Sequence, residues 1–482
     1  VVIRAAQLKK QLASGSPPLP FDELILCNIG NPHAVGQKPI TFYRQVAAAM
    51  YMPPQSGPCA LLQKCLFPPD VLARALTYLS ATGGNGVGAY TDSSGLQLVR
   101  EEVCEFILAR DGFTSSPSCI SLTTGASEGV KRTITALVSS SNVGIMIPKP
   151  QYPLYSASLT MAGGKAVYYD LFEEAGWTTS LGELLRAYEQ ALAGGIETRA
   201  LAMINPGNPV GAVLSEEAVA ELLCFCAAKD LVLLADEVYQ VNVYATGKQF
   251  HSAKKVLCKL QGELMPIPAA CQDLLGGATN LAECISRAQL ISYHSTSKGL
   301  IGECGQRGGY MEYVGFSEAT LAEFNKVAAT SLSSNTIGQI FVGLMVRGPQ
   351  EGEQSYALFC RESGEILAGL KRRALRATEQ LNKIEGLSAQ PIEGAMYAFP
   401  RIRMPRKFVA ESEADGRAAD ELWCLALMGK TGIVCVPGSG FGQQEGTYHV
   451  RMTILPPDEM FDKMLDKLRV FQSEFYVQWG EH

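Results

Sequence analysis

The chain has 482 residues, of which 47% are apolar and 18% charged, and a formal net charge of −6. At roughly 150 residues per domain this length suits two or three domains, and the charged fraction falls below the ~25% of an average soluble protein, as in a large, associated molecule with little surface per residue. No basic tract offers a face for nucleic acid and no apolar run reaches the ~18 residues of a membrane helix; disorder, collagen and a small disulfide scaffold are excluded with them.

The 14 cysteines mostly stand singly in apolar stretches, and the Cys224-x-Cys226 pair has no His or second Cys pair at zinc-ligand spacing. They are expected to be core thiols of a reducing compartment, with no metal bound. The first residue is Val1 rather than Met. The expected location is therefore cytoplasm or an organelle matrix, the mitochondrion included if a leader has been removed.

In chain order, residues 1–69 carry proline clusters at Pro17-Pro18, Pro53-Pro54 and Pro68-Pro69 and read as irregular. From about 70 to 345, short Val/Ile/Leu-rich runs alternate with helical patterns, the mark of βαβ units around a mostly parallel sheet. Seven strands are expected: Ile120–Thr123, Val143–Ile147, Ala166–Tyr169, Ala200–Ile204, Leu231–Ala235, Leu290–Tyr293 and Gly309–Tyr313. Helices are expected at Ser127–Val138, Pro153–Met161, Leu181–Leu192 and Glu216–Lys229. Gln261–Arg287 lacks periodicity and reads as an insertion loop. A long charged helix, about Gln354–Lys383, leads to strands at Tyr397–Phe399, Gly432–Cys435 and Tyr448–Ile454 and helices at Ala418–Lys430 and Glu459–Ser473. The expected division is an N-terminal segment (1–69), a large α/β domain (70–345) and a small α+β domain (346–482).

Polar residues just past the carboxyl ends of parallel strands are where such a fold binds ligands. Thr124-Gly125-Ala126-Ser127 opens a helix whose free N–H groups suit a phosphate, although Ser127 also reads as a plain N-cap. Asn205-Pro206-Gly207-Asn208-Pro209-Val210-Gly211 is a doubled rigid turn, which turn chemistry alone could explain. Asp236 ends an apolar strand, where an acid is costly unless a cation faces it. A Walker B reading fails for want of a G-x-x-x-x-G-K-[ST] loop. Lys298, in Ser295-Thr296-Ser297-Lys298-Gly299, follows another core strand. A lysine is usually a solvated surface group, but one held in a crevice can attack a carbonyl. Gly84–Ala89 resembles a dinucleotide-binding glycine pattern but has no preceding strand and is followed by a turn, and Gly438–Gly442 lacks the last position of that pattern.

Together, Asn208-Pro209-x-Gly211, Asp236-x-x-Tyr239, Ser295-x-Ser297-Lys298, Arg307 and Arg451, in that order, resemble the fold type I pyridoxal-phosphate-dependent aminotransferases. The resemblance covers almost the whole chain. The segments Cys27-Asn28-Ile29-Gly30-Asn31-Pro32, Pro150-Gln151-Tyr152-Pro153-Leu154-Tyr155-Ser156, Gly302-Glu303-Cys304-Gly305 and Val436–Gly442 are most similar to the alanine aminotransferase branch. Three features depart from it. Gly299-Leu300-Ile301 stands where aromatics are expected, Gln261–Arg287 is long, and Glu128 replaces a proline.

The resemblance implies pyridoxal 5′-phosphate as cofactor and a ping-pong exchange of the amino group between L-alanine and 2-oxoglutarate, giving pyruvate and L-glutamate. It implies that Lys298 forms the resting Schiff base and later carries the proton, that Asp236 keeps the ring nitrogen protonated, and that Asn208 and Tyr239 bond the ring oxygen. Gly125, Ala126, Ser127, Ser295, Ser297 and Arg307 are implied as the phosphate cradle, and Tyr152 as the stacking ring. Arg451 is implied to grip the substrate carboxylate beside Gly30 and Asn208, its bland alternative being a strand-end salt bridge. Tyr90 is implied to reach the phosphate of a neighbouring subunit, which makes the expected partner a second copy sharing the site. Glutamate–glyoxylate aminotransferases share nearly every motif; a lyase like aminocyclopropane-carboxylate synthase is the more distant alternative. A non-catalytic cofactor-binding regulator would need a nucleic-acid module and a lost lysine, and the sequence shows neither.

Overall fold

A strand buried on both faces must be apolar throughout, and this alternation of apolar runs with amphipathic helices builds a single covered sheet. The computed structural model describes residues 1–52, 63–84, 86–275 and 278–480; Pro53-Pro54 and Asn85 fall outside them. After a short first strand, β1 (Ile25–Leu26), come β2 (Ile120–Thr123), β3 (Val143–Lys149), β4 (Lys165–Asp170), β5 (Glu197–Ile204), β6 (Val232–Asp236), β7 (Leu290–Ser295) and β8 (Gly309–Val314). These last seven form one sheet in the order β2-β8-β7-β6-β5-β3-β4, in which only β8 runs antiparallel to its neighbours.

The period of two along each strand sends alternate side chains to opposite faces. Ala200, Ala202, Val232 and Leu234 join one apolar cluster, with the helices Ala126–Leu137 and Leu154–Ala162. Their neighbours Leu201, Met203, Leu233 and Ala235 join the other, with the helices Leu181–Ala193, Glu216–Ala228 and Ala253–Gln261. The helix Glu216–Ala228 starts where the Ser215 hydroxyl accepts from the Ala218 N–H at 3.1 Å, with Glu216 and Glu217 in the first turn against the dipole. It buries Leu222, Leu223 and Phe225, and truncating Leu223 to Ala is expected to cost about 2–5 kcal/mol.

Two expectations need correction. The first 69 residues are not irregular throughout: Val2–Ser14 and Thr41–Tyr51 are helices, and Ile25 and Leu26 pair in parallel with Ile433 and Val434. The prolines sit outside these helices, as at Pro17, just past the left-handed Gly15 that ends the first one. Nor is Gln261–Arg287 merely a loop. Ala278–Ser286 is a helix whose Leu281 and Ile285, four residues apart, fill the core, and Cys271 is buried in the same cluster. Its short length and Gly/Pro-rich lead-in hide that spacing.

The long helix Tyr356–Leu381 leads to β9 (Leu387–Ser388), β10 (Tyr397–Ala398), β11 (Arg401–Ile402), β12 (Ile433–Val434), β13 (Val436–Pro437) and β14 (Val450–Thr453). Here β14 lies between β10 and β13, antiparallel to both. The final helix, Asp458–Trp479, buries Phe461, Leu465, Leu468 and Phe471 at helical spacing. The thirteen described cysteines are all free, and no described helix is long and apolar enough to cross a membrane.

Candidate active site

Because β2, β3, β5, β6 and β7 run the same way, the segments following them emerge on one edge of the sheet. They bring Ala126 and Ser127, Tyr152, Asn208, Asp236 and Tyr239, and Ser295, Ser297 and Lys298 around one cleft of about 450 Å³. Arg307 enters from just before β8. Gly30 arrives from the N-terminal segment, and Arg451 and Tyr397 from β14 and β10. Every sequence-predicted residue but Gly125 and Tyr90 therefore lines this cleft. Gly125 lies immediately behind the lining, while Tyr90 is exposed elsewhere.

The helix after β2 carries no side-chain cap. Its N-cap is Gly125 at φ 81, ψ 160, a conformation closed to other residues, and a Cβ there would collide with the Arg307 guanidinium. The plain-cap reading of Ser127 is thereby overturned: its hydroxyl accepts instead from Arg307 Nη2 at 3.2 Å. Arg307 also donates to the Ser297 hydroxyl at 3.2 Å and to the carbonyls of Thr124 (3.2 Å) and Cys304 (3.0 Å). The Ser295 hydroxyl accepts from the Ser297 N–H at 3.1 Å and donates to the Gly308 carbonyl. An uncapped helix start, three hydroxyls and a guanidinium converge there, the donor set of an anion site.

Asp236 is buried at the end of β6. Burial raises its carboxyl to about 6, against partial relief from the Val238 N–H and Tyr155 hydroxyl, each at 3.4 Å, and from the Lys298 charge. Across the cleft Lys298 Nζ donates to the Gly30 carbonyl at 2.7 Å. Arg451, 5% exposed, donates to Asn208 Oδ1 at 3.1 Å and to the Asn28 carbonyl at 2.6 Å, and its Nε has no partner. Among the described residues no carboxylate lies within salt-bridge distance of Lys298, Arg307 or Arg451. The salt-bridge alternative for Arg451 thus fails: the cleft holds three cations beside one buried acid, an excess that anionic ligands would balance.

Tyr397 and Tyr155 are the main residues that site reasoning from sequence missed. The Tyr397 hydroxyl lies 3.3 Å from that of Tyr239, and its ring stacks 4.3 Å from the Arg451 guanidinium. Burial alone would raise Tyr397, but the Lys298 and Arg451 charges outweigh it and hold its hydroxyl below the usual phenol range; burial, then Tyr397 itself, push Tyr239 up. Gly30 is required because a Cβ there would occupy the place of the Tyr397 hydroxyl. Gly394 Ala395 Met396 Tyr397 carries no strand-end or glycine-loop signal of a ligand site. Only its docking on the Asn208 loop, through the Gly394 N–H to the Gly211 carbonyl at 2.8 Å, brings it in.

The chain matches the family described as Aminotransferase class I and II over residues 56–468. A probable mitochondrial alanine aminotransferase of Dictyostelium discoideum is 44% identical over 98% of this chain and 85% of its own length. Glutamate–glyoxylate aminotransferase 2 of Arabidopsis thaliana is 43% identical over 100% of this chain and 93% of its own. The solved alanine aminotransferase of Pyrococcus furiosus superposes with a TM-score of 0.72 at 23% identity, covering 98% of this chain and 96% of its own, which shows the shared fold. The chain belongs to the class I and II aminotransferases.

Proposed function

We propose that this aminotransferase uses pyridoxal 5′-phosphate to exchange an amino group between L-alanine and 2-oxoglutarate. The observation that carries the cofactor reading is the trio of cations without carboxylate partners around Asp236, together with the uncapped Gly125 helix start. The cofactor brings one phosphate and one basic ring nitrogen, and the cleft offers a donor cluster for the first and a buried acid for the second. Ala126 and Ser127 N–H groups, the Ser127, Ser295 and Ser297 hydroxyls and Arg307 would hold the phosphate. Pyridoxal phosphate, when bound, supplies a conjugated ring that withdraws the electron pair left at the substrate Cα.

Asp236 would keep a proton on the ring nitrogen. A cation there would lower its raised carboxyl back toward the ionised form, so the pair stabilises itself. Asn208 and Tyr239 would donate to the ring oxygen, and Tyr152 would cover the ring. Lys298 Nζ would hold the cofactor and then take up and return the proton of the substrate Cα. Arg451, oriented by Asn208 and the Asn28 carbonyl, would receive the substrate α-carboxylate through its planar fork beside Gly30. Tyr90, exposed and away from its own cleft, would serve the phosphate site of a second copy, making the working unit a homodimer. The same reading assigns 1–69 to an N-terminal segment, 70–345 to the cofactor-binding domain and 346–482 to the small domain, in cytoplasm or an organelle matrix.

The alanine preference draws support from relatives bearing that name at 40–44% identity; the similarly close glutamate–glyoxylate relatives favour a second acceptor. The deciding assay follows pyruvate release from L-alanine with 2-oxoglutarate or glyoxylate in excess. A higher kcat/KM with 2-oxoglutarate supports the proposal; a strong preference for glyoxylate supports the second reading. No pyruvate with either overturns the alanine reading, and a lack of glycine from L-glutamate plus glyoxylate as well overturns the second.

A further inference from the structure

The Arg451 guanidinium lies between two rings, Tyr397 at 4.3 Å and Phe441 at 4.7 Å. Tyr397 is fixed by β10. Phe441 instead sits in the 3₁₀ turn Gly438–Phe441 after β13, and so depends on whatever holds that turn. On one side its carbonyl accepts from the Gln151 N–H at 2.9 Å, next to Tyr152. On the other side the buried Asp420 carboxylate accepts from the Ser439 N–H at 2.6 Å and from Gln443 Nε2 at 3.0 Å.

A carboxylate can only accept, so the Gln443 amide nitrogen must face Asp420 and its oxygen must face His449. That oxygen accepts from the His449 N–H at 2.9 Å and from the Nδ1–H at 3.0 Å. At 3.1 Å from the other ring nitrogen, Nε2, stands Glu173 Oε2, which in turn faces Arg401 at 3.7 Å. Both ring nitrogens of His449 therefore lie against oxygens, the Gln443 amide on one side and the Glu173 carboxyl on the other. The imidazole is stacked 4.8 Å from Phe399 and meets the edge of Trp177 at 5.5 Å. Trp177 itself is held at φ 63, costly for so bulky a residue and maintained by this packing.

We propose that Asp420, Gln443, His449 and Glu173 form a strut that positions Phe441, and through it sets the plane of the Arg451 fork that receives the substrate carboxylate. None of the four touches the cleft, so they are positioning residues, tying the turn over Arg451 to the segment that follows β4. The proposal rests on the reading of Arg451 as the carboxylate clamp. It separates from that reading because the strut acts on amino-acid binding and leaves Lys298, Asp236 and the phosphate cradle alone.

The test is steady-state kinetics with L-alanine and with L-glutamate as amino donors, on the holoenzyme and four variants. His449→Phe keeps the stacking but removes both ring nitrogens; a KM at least about ten-fold higher for both amino donors is expected, with kcat and cofactor absorbance within about two-fold. Gln443→Glu sets two carboxylates face to face and should raise KM likewise. Glu173→Gln still offers the His449 Nε2 a hydrogen-bonding partner and should keep KM within about two-fold of the original. Unchanged KM in His449→Phe or in Gln443→Glu, or as large a rise in Glu173→Gln as in His449→Phe, overturns the strut. Arg451→Lys separates the two readings: if its KM is unmoved, the clamp reading fails. If only Arg451→Lys raises KM, the clamp stands and the strut alone falls.

Discussion

Two groups of buried charges sit on opposite sides of the same sheet, and they are solved differently. Behind the cleft, Lys254 and Glu312, 4% and 1% exposed at their side chains, pair directly; the Thr114 carbonyl accepts from Lys254 and the Ser115 hydroxyl donates to the same Glu312 oxygen, Oε1, the other being without a partner. In the cleft, Lys298, Arg307 and Arg451 are bonded to carbonyls, hydroxyls and an amide, and none meets a carboxylate. Desolvating a charge is expensive in either place. A pair that closes on itself belongs to folding, whereas cations held only by neutral groups are kept ready for an anion that arrives later. The contrast supports the proposed site without reference to any relative.

Four substitutions sharpen that contrast, the largest effect first. Lys298→Ala should lower turnover by about 10³-fold or more, read in the alanine assay, since the proton carrier is gone; near-normal turnover would remove Lys298 from its role. Lys254→Ala should cost about 3–5 kcal/mol of stability by leaving Glu312 buried and unpaired, while kcat/KM of the folded enzyme stays unchanged. If activity falls with stability preserved, the two clusters are not separate in purpose.

Asp236→Asn should act in opposite directions on the two properties. In the cofactor-free protein the carboxyl is raised to about 6 from its ordinary value of 3.8, so the native state binds more protons than the unfolded chain between those values, and wild-type stability falls as pH rises through them. The variant should then be more stable than wild type by about 1–3 kcal/mol above pH 7 and show little gain near pH 4, in urea unfolding of apoprotein. Its turnover should nevertheless collapse. Equal stability at both pH values would mean that Asp236 has a partner in the apoprotein. Arg451→Lys, the mildest change, keeps the charge but loses the fork. It should raise the L-alanine KM by about 10- to 100-fold with kcat little altered.

The legibility of this molecule in its sequence follows the same division. Strands such as Ile120–Thr123 and helices such as Leu181–Ala193 could be read closely because a sheet buried on both faces leaves an unbroken apolar run bracketed by amphipathic helices. Lys298, Asp236 and Asn208 stand at the ends of those runs, so their place in one cleft follows from the parallel topology. The first helix was hidden because it buries only Ala5 and Leu8, too thin a stripe beside the proline clusters. Tyr397 and the Asp420–Gln443–His449–Glu173 chain were hidden for another reason. Their partners lie far apart along the chain, His449 and Glu173 by 276 residues, and no local pattern encodes such a meeting. Arg451 was reached only through family resemblance, for by itself Val450-Arg451-Met452 is a strand fragment with a charge in it.

The most direct test of the central claim, that the unpaired cations and Asp236 await a cofactor and an amino acid, is the visible spectrum of purified enzyme titrated with L-alanine without any keto acid. The account predicts a yellow band that bleaches as one pyruvate appears per Lys298, and that returns when 2-oxoglutarate is added. A protein that stays colourless with pyridoxal phosphate supplied, or a band that L-alanine leaves untouched, would contradict it.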